Sequence, residues 1–559
     1  AANNVAVGKA ALLANTTGTQ NTAVGSLALD ANTTASNITA VGYGSLSGNT
    51  TGDNNVAVGA SSLNSNTTGA DNTAVGLSAA QTNTTGYHLV AIGRNALAGN
   101  TTGYQNVAIG RACMEANTTG NNNTAIGQHT LLLNTTGAYN TAVGSGALDA
   151  NTTANNNSAF GYFALGSNTT GTGNTAIGQS ALTANTTANG NTAVGKDCMV
   201  SNTTGHSNVA VGQVCLDANT TGQDIVAVGY NALGANTTAS NNVAVGTSAL
   251  GLNTTGHSCT GLGRLALYAN TTANFNTGVG YKALTDNTTG QYNVSVGSHT
   301  LDANTTGAQN TGIGHAALGD NTTGVYNTAI GYHALDAVTT TSFNVAVGSG
   351  SLGNSTQSAN TAVGHNAAHS ATSAENLVCI GTDAGNSITT GSHNTIVGRS
   401  AGTGLTSGSN QTLLGRNAGT SSSPSGNQTT GSDTICLGDN SVQSLFCADT
   451  SISSSDSRDK TDITDFTKGL DWIKALRPVT YRWDRRTWYG TDAEPYGTPD
   501  GSKKRTKVHI GFLAQEALEV EKANGYGSSN DDSLVVNLTD DGMSYGMKYE
   551  RLVPILVNA

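Results

Sequence analysis

Residues 21–37 read NTAVGSLALDANTTASN, and the residues that follow repeat this pattern at the same spacing. A glycine recurs every 17 residues from Gly8 to Gly348, which gives 21 copies without an insertion. The shared unit is N-x-A-V-G-x-x-A-L-x-x-N-T-T-G-x-x. A strict period of this length predicts a stack of equivalent structural units, because each unit must occupy the same kind of position as its neighbours.

Each unit contains one segment suited to a short β-strand. In T-A-V-G, as at residues 22–25, β-branched residues alternate with a small one, which favours a strand over a helix. N-T-T-G is typical of a turn, since Asn and Gly tolerate positive φ and hydroxyl groups bond nearby backbone. We therefore predict one coil of a parallel β-solenoid per unit, with columns of Val and Leu forming a thin continuous core.

The period is interrupted towards the C-terminus. Gly364 comes one position early after Gly348, the regular spacing then returns as far as Gly415, and the next match, Gly438, comes six positions late. The predicted boundaries are regular repeats over residues 1–352, degenerate repeats over 353–420 and a Ser-rich stem or linker over 421–454.

The strand motif of residues 21–29 resembles the head repeats of trimeric autotransporter adhesins, a repeat type that also occurs in phage tail fibres. The resemblance covers residues 1–420. It implies a left-handed parallel β-roll in which three chains pack together as a trimer. The period of this chain is longer than the usual unit of that family, so a triangular single-chain β-helix stays an alternative.

Residues 455–559 have a different composition from the repeats. They hold 15 of the 23 Lys and Arg residues, 17 of the 34 Asp and Glu residues, and all three tryptophans. Residues 470–476 predict a short helix ended by Pro478, and residues 479–483 alternate as a strand does. Further helices are predicted within residues 510–518 and 549–557. This part is therefore expected to be a small α+β domain.

Three motifs occur in order within this domain. They are SDSRDK over residues 455–460, LRPVTYRW over residues 476–483 and GFLAQE over residues 511–516. They resemble the intramolecular chaperone domain of phage tailspikes and tail fibres, best known from endosialidases. The resemblance covers residues 455–559 and implies a domain that trimerises the fibre, assists its folding and then cuts itself off.

The same resemblance implies cleavage between Ser454 and Ser455, with Ser455 as nucleophile and Lys460 as base. A serine hydroxyl needs an adjacent base, and a lysine serves when its surroundings lower its pKa. Ser–Lys pairs are known variants of the hydrolytic triad. From the residues alone, the same two positions also fit an ordinary surface loop. Gln515 and Glu516 match the third motif and are assigned no catalytic role.

The Asn-Thr-Thr column admits three interpretations. It recurs in 19 copies from Asn15 to Asn321, but copies of one repeat count nearly as one observation. The asparagine is either the cap of a turn or an acceptor for N-glycosylation. Alternatively, the threonines form a flat face that binds ice or glycans.

The seven cysteines show no metal-site spacing. Cys113, Cys198 and Cys215 stand where other repeats have Ala or Ser, which indicates small buried side chains. A disulfide between Cys198 and Cys215, one repeat apart, stays open. The sequence predicts neither a cofactor nor a metal.

These features and resemblances lead to a viral tail fibre. The net charge of −11 argues against nucleic-acid binding, and the lack of a long apolar run argues against membrane insertion. We expect a homotrimer on the virion, outside the cell, that contacts a host cell-surface receptor such as a glycan and other tail or baseplate proteins. Self-cleavage is the one enzymatic activity expected. The alternatives are a glycosylated extracellular fibril, a cellular surface adhesin, or a tailspike enzyme that would need an acidic cleft.

Overall fold

The repeats form parallel β-solenoids built from three-residue strands. The structure, a computed structural model, describes residues 2–442, 461, 463–490, 494, 496–529, 531–538 and 545–559. The chain divides into two compact units, residues 1–326 and residues 327–559. The predicted mostly β fold with a small C-terminal α+β region is confirmed.

The first unit has one strand in each 17-residue coil, here called a rung. Each strand pairs in parallel with the next, so that Thr22 lies opposite Thr39 and Ala23 opposite Ala40. The strands are β1 (Val5–Val7), β2 (Thr22–Val24), β3 (Thr39–Val41), β4 (Val56–Val58), β5 (Thr73–Val75), β6 (Val90–Ile92), β7 (Val107–Ile109), β8 (Thr124–Ile126), β9 (Thr141–Val143), β10 (Ser158–Phe160), β11 (Thr175–Ile177), β12 (Thr192–Val194), β13 (Val209–Val211), β14 (Val226–Val228), β15 (Val243–Val245), β16 (Thr260–Leu262), β17 (Thr277–Val279), β18 (Val294–Val296) and β19 (Thr311–Ile313).

The second unit begins with further strands that pair in the same parallel manner. They are β20 (Thr328–Ile330), β21 (Val345–Val347), β22 (Thr361–Val363), β23 (Val378–Ile380), β24 (Thr395–Val397), β25 (Thr412–Leu414) and β26 (Ile435–Leu437). Val345 pairs with Thr361, which makes that rung one residue shorter than the repeat, and Thr412 pairs with Ile435 across a longer rung. The solenoid therefore continues into residues 421–454, where the sequence predicts a stem or linker. The last rung escaped detection because its turn is six residues longer than in the regular unit.

In every solenoid strand after β1, only the middle residue is buried. In β9, Ala142 is fully buried, whereas Thr141 and Val143 are half-buried. The leucine four residues after the strand glycine, such as Leu148, is also fully buried. The predicted core is therefore confirmed for the Leu column and wrong for the Val column. A three-residue strand has one inward position, and alanine takes it, so both flanking β-branched residues point outward.

Positive φ angles occur on both sides of the strand, as at Tyr139 (φ +59) before β9 and at Gly144 after it. Contrary to the prediction, they do not occur in the N-T-T-G turn. Gly144 has φ +131, and a β-carbon there would lie 2.4 Å from the carbonyl oxygen of Gly161 in the next rung. Leu148 has φ +52. The left-handed conformation costs a non-glycine residue roughly 1–2 kcal/mol. Full burial of the leucine side chain offsets this, because it contributes roughly 1.5–3 kcal/mol.

Asparagine side chains form a ladder inside the turns. Asn134 Nδ2 donates to Asn117 Oδ1 of the preceding rung at 2.8 Å and to the carbonyl oxygen of Gly137 at 3.0 Å. The same pattern recurs in successive rungs, and these asparagines are fully buried. Asn321 is the last asparagine of this column in the sequence, and Val338 stands one repeat later. Asn321 Oδ1 is buried without a hydrogen-bond partner among the described residues.

The described cysteines are small buried side chains, as predicted. Cys198 and Cys215 are free, and their Sγ atoms donate to backbone carbonyl oxygens at 3.3 Å and 3.2 Å. Burial raises the pKa of Cys113 to about 12. No disulfide joins Cys198 to Cys215.

The C-terminal region combines short helices with two small antiparallel sheets. Its described elements are α1 (Leu470–Ala475), β27 (Val479–Tyr481), β28 (His509–Gly511), α2 (Ala514–Ala523), β29 (Val536–Leu538), β30 (Tyr545–Met547) and α3 (Leu552–Val557), with 3-10 helices at Arg486–Trp488 and Tyr549–Arg551. The helix predicted before Pro478 is confirmed, as is the one within residues 549–557. Residues 510–518 instead divide between β28 and α2. The buried core is Trp472, Leu476, Ala517, Val535, Val536, Leu552 and Ile555.

Candidate functional site in the C-terminal domain

The residues predicted to perform cleavage, Ser454, Ser455 and Lys460, lie outside the residues that the structure describes. The structure does show how the other two motifs meet. The strand of the second motif, β27, pairs antiparallel with β28, which ends at the first glycine of the third motif. Val479 lies opposite Gly511. Two motifs well separated in the sequence therefore share one sheet.

Because Gly511 has no side chain, it leaves room for the hydroxyl group of Tyr549, which lies near the C-terminal end of the sequence. A β-carbon at this position would lie 2.5 Å from Tyr549 Oη, which is closer than non-bonded atoms approach. The same hydroxyl accepts a hydrogen bond from the backbone N–H of Phe512 at 3.1 Å. The glycine of the third motif is thus explained by close packing between the sheet and the last helical segment.

An ion pair links the second and third motifs. Arg477 Nε donates to Glu516 Oε2 at 3.0 Å, and Arg477 Nη2 donates to Glu516 Oε1. Hydrogen bonding from the guanidinium lowers the pKa of Glu516. Because both groups are exposed to solvent, the pair adds little stability. Its two-pronged geometry does fix the start of α2 relative to the segment after α1.

The segment that follows the first motif is anchored in the domain core. The Phe466 ring lies 5.9 Å from Trp472 and 6.1 Å from Tyr526, measured between ring centroids. Asn558 Nδ2 donates to the backbone carbonyl oxygens of Phe466 and Lys468, both at 3.1 Å. Residues 466–468 are therefore held by both the core and the C-terminal helix.

Glu521 holds a second part of the domain in place. It is fully buried on α2, and its carboxylate accepts N–H bonds from Val535 at 2.9 Å and Val536 at 3.1 Å. The backbone N–H of Leu534 and the Ser533 hydroxyl donate to the same carboxylate. A buried carboxylate is tolerated when several donors surround it, as here. Sequence reasoning missed this group because its partners are mainly backbone atoms.

The connection between β27 and β28 carries a set of cation–π contacts that sequence reasoning also missed. The available signal was the run KKRTK over residues 503–507, together with interleaved tryptophan and tyrosine. The contacts place Arg485 over Trp483 at 4.4 Å, Arg505 over Trp488 at 5.1 Å, Lys503 over Tyr489 at 5.1 Å and Arg486 over Tyr496 at 4.9 Å.

In the solenoid, the Asn-Thr-Thr column acts structurally. A glycan on the Asn134 amide nitrogen would remove a donor from the ladder and would need space that a fully buried group lacks. This geometry contradicts glycosylation of the folded ladder rungs. The first threonine also has a structural role, since Thr135 Oγ1 donates to the carbonyl oxygen of Thr152 at 3.0 Å. The second, such as Thr136, is exposed.

The described residues contain neither a metal-binding cluster nor a membrane-spanning helix. No group of three or more His, Cys, Asp or Glu side chains in that part of the chain is arranged to hold a metal ion. No helix among the described ranges is both long and apolar enough to cross a membrane.

The fold defines the class of protein to which this chain belongs. It is a parallel β-solenoid repeat protein with a small α+β region after the repeats. Residues 455–526 match the family described as chaperone of endosialidase, and the match includes all three motifs. No curated protein matches the chain. The elements after residue 526 contribute to the same core, because Val536 and Ile555 pack with Trp472.

Proposed function

We propose that the chain is a trimeric viral tail fibre that attaches to a host cell, and that its C-terminal domain folds the rod and then cleaves itself off. The observation that carries this proposal is the match of residues 455–526 to the chaperone of endosialidase family. The domain would first bring three chains together in register. Such a step suits this rod, because a shift by one whole repeat changes few side-chain contacts.

An outward strip of aliphatic side chains supports the trimer. The last residue of each strand lies on the outer face, and Ile177, Val211 and Val245 are 41%, 37% and 38% exposed. Successive rungs align these side chains because the strands pair in register. A continuous apolar strip of this kind is a typical protein interface. Packing three strips together would give each thin solenoid the additional core that it lacks.

The proposed cleavage breaks the peptide bond between Ser454 and Ser455. Ser455 Oγ attacks the carbonyl carbon of Ser454 while Lys460 accepts the hydroxyl proton. The Ser455 nitrogen leaves as an amine and takes up a proton, so the two residues are joined by an ester. Water then hydrolyses that ester and gives a carboxylate at Ser454 and a free hydroxyl at Ser455. Cleavage would make assembly irreversible, so the stability of the fibre would be kinetic.

The test of cleavage is the intact mass of the denatured recombinant protein. Wild type is expected to give two fragments, residues 1–454 and residues 455–559. The variants Ser455→Ala and Lys460→Arg are expected to stay whole, since arginine keeps the charge but cannot act as a base. Ser457→Ala is the matched control and should be cut. Whole wild-type chains would refute self-cleavage.

The test of the trimer is sedimentation velocity of the wild-type protein. The fragment of residues 1–454 is expected to sediment with three times the mass of one copy. Val211→Asp combined with Val245→Asp should abolish the trimer, because three charges would meet in an apolar interface at each level. Thr221→Asp combined with Thr255→Asp is the control, since both threonines are exposed. A monomeric wild type, or equal behaviour of the two double variants, would refute the proposed packing.

A further inference from the structure

A pocket beside the β27–β28 connection contains two arginines. The pocket has a volume of about 230 Å³ and is lined by Arg485, Arg505, Trp483, Trp488 and Asn440, among others. Arg485 is half-buried, and its Nη1 donates to Asn440 Oδ1 at 2.9 Å. Each guanidinium lies over a tryptophan ring. The two cations are therefore held close together in a defined, partly enclosed space.

Neither arginine has an acidic partner among the residues that the structure describes. The adjacent carboxylate, Asp484, accepts a hydrogen bond from Tyr489 Oη at 2.7 Å. Burial, and then the positive charge of Arg505, lower the pKa of Arg485. Like charges that share a partly desolvated site repel each other, and an anion between them relieves that cost.

We propose that Arg485 and Arg505 form a binding site for an oxyanion, namely a carboxylate or phosphate group. The guanidinium group presents several N–H donors in a planar fork that matches the oxygens of both groups. Stacking on Trp483 and Trp488 restricts the rotamers of both arginines. Less conformational entropy is then lost when the ligand binds. The bound anion would neutralise the paired charges and hold the connection beside Asn440.

Tryptophan fluorescence of the full-length Ser455→Ala chain provides the assay, because this variant keeps the domain attached. The probes are inorganic phosphate and succinate, each titrated at a constant ionic strength of about 0.15 M so that screening stays fixed. Trp483 and Trp488 report on the pocket, whereas Trp472 lies in the core and is expected to be silent. The phosphate arm and the succinate arm distinguish the two kinds of oxyanion.

A saturable change with either probe is the expected result. Arg485→Gln and Arg505→Gln should each raise the half-saturating concentration at least about tenfold, since a charge-assisted hydrogen bond is lost. Lys504→Gln is the matched control: it removes the same charge from an exposed neighbour and should bind like the parent. Circular dichroism checks that each variant is folded.

If a glutamine variant does not fold, Arg505→Lys replaces it, because lysine keeps the charge but loses the fork. It should bind at least about threefold more weakly than the parent. The proposal is overturned if neither probe gives a saturable change. It is also overturned if binding by the folded arginine variants equals that of Lys504→Gln.

Discussion

Replacement of Asn134 by alanine removes one step of the asparagine ladder from the middle of the first unit. The side chain is fully buried and takes part in three hydrogen bonds. It donates to Asn117 Oδ1 at 2.8 Å and to the Gly137 carbonyl oxygen at 3.0 Å, and its own Oδ1 accepts from Asn151 Nδ2 at 2.8 Å. Alanine fits the backbone but supplies none of these groups.

The expected cost follows from which partners are left unsatisfied. The Gly137 carbonyl keeps a donor in Asn123 Nδ2 at 2.9 Å, and Asn151 Nδ2 keeps an acceptor in the Ala154 carbonyl at 3.2 Å. Only Asn117 Oδ1 loses its sole side-chain donor. Two net hydrogen bonds at about 1 kcal/mol each, plus the bond whose loss orphans the buried Asn117 acceptor at about 1–3 kcal/mol, give a local destabilisation of roughly 3–5 kcal/mol.

Hydrogen–deuterium exchange followed by mass spectrometry measures this cost rung by rung. A solenoid opens locally, so a single unfolding temperature would average the effect over many rungs. Peptides covering residues 117–152 of the full-length variant should exchange at least about 100-fold faster than in wild type. Thr136→Ala is the matched control, because this exposed threonine lies in the same turn and its hydroxyl makes no hydrogen bond within the described part of the chain.

The ladder argument fails if exchange in these peptides is the same for Asn134→Ala and Thr136→Ala. It also fails if the acceleration is spread evenly along the unit, since the predicted orphan acceptor belongs to one rung. Faster exchange confined to the rungs next to residue 134 would support it.

Three further outcomes are expected in the C-terminal domain. Gly511→Ala should lower the unfolding temperature of the domain, because the added methyl group meets Tyr549 Oη, and Tyr549→Phe in the same chain should restore part of the loss. Glu521→Gln should destabilise the domain by roughly 2–4 kcal/mol in urea unfolding, because the amide cannot accept all the backbone N–H bonds. Hydrogen bonds, chiefly from Ser528 Oγ, lower the pKa of Asp532 to about 2. Because the pKa is lower in the folded state than in the unfolded state, the ionised Asp532 carboxylate stabilises the folded turn. This stabilisation is fully present above the unfolded pKa of about 4 and is lost as the pH falls towards 2. The protection factor of the Ser528 amide, which is the exchange rate of an unprotected amide at the same pH divided by its own exchange rate, should therefore fall over that range. In Asp532→Asn the protection factor should be low at every pH.

Much of the solenoid was predictable from the sequence, because a strict period requires equivalent rungs. The glycine and leucine columns are where the pattern placed them. The direction of Val143 and its equivalents was not predictable, since a three-residue strand is too short to show which alternate position is buried. The last rung was missed because its longer turn moves Gly438 out of the regular spacing.

The candidate site was less accessible to sequence reasoning. The roles of Ser455 and Lys460 come from a motif and stay predictions. The contacts of Gly511 with Tyr549 and of Glu521 with Val535 depend on how distant segments pack, which no local pattern encodes. That Arg485 and Arg505 line one pocket likewise becomes visible only in the structure, because the pairing of β27 with β28 brings the two ends of their connection close together.

The two irregular rungs of the second unit have a consequence for any assembly of identical copies. A row of equal rungs has translational symmetry, so it defines no origin from which a neighbouring copy can be aligned. The shortened rung between β21 and β22 and the lengthened rung between β25 and β26 break that symmetry. A copy displaced by one step would no longer set each irregular turn beside its own equivalent in the neighbouring copy. In an assembly of identical copies, these rungs would define the axial alignment of one copy against the next. They lie in the part of the solenoid nearest in sequence to the domain matched to a chaperone.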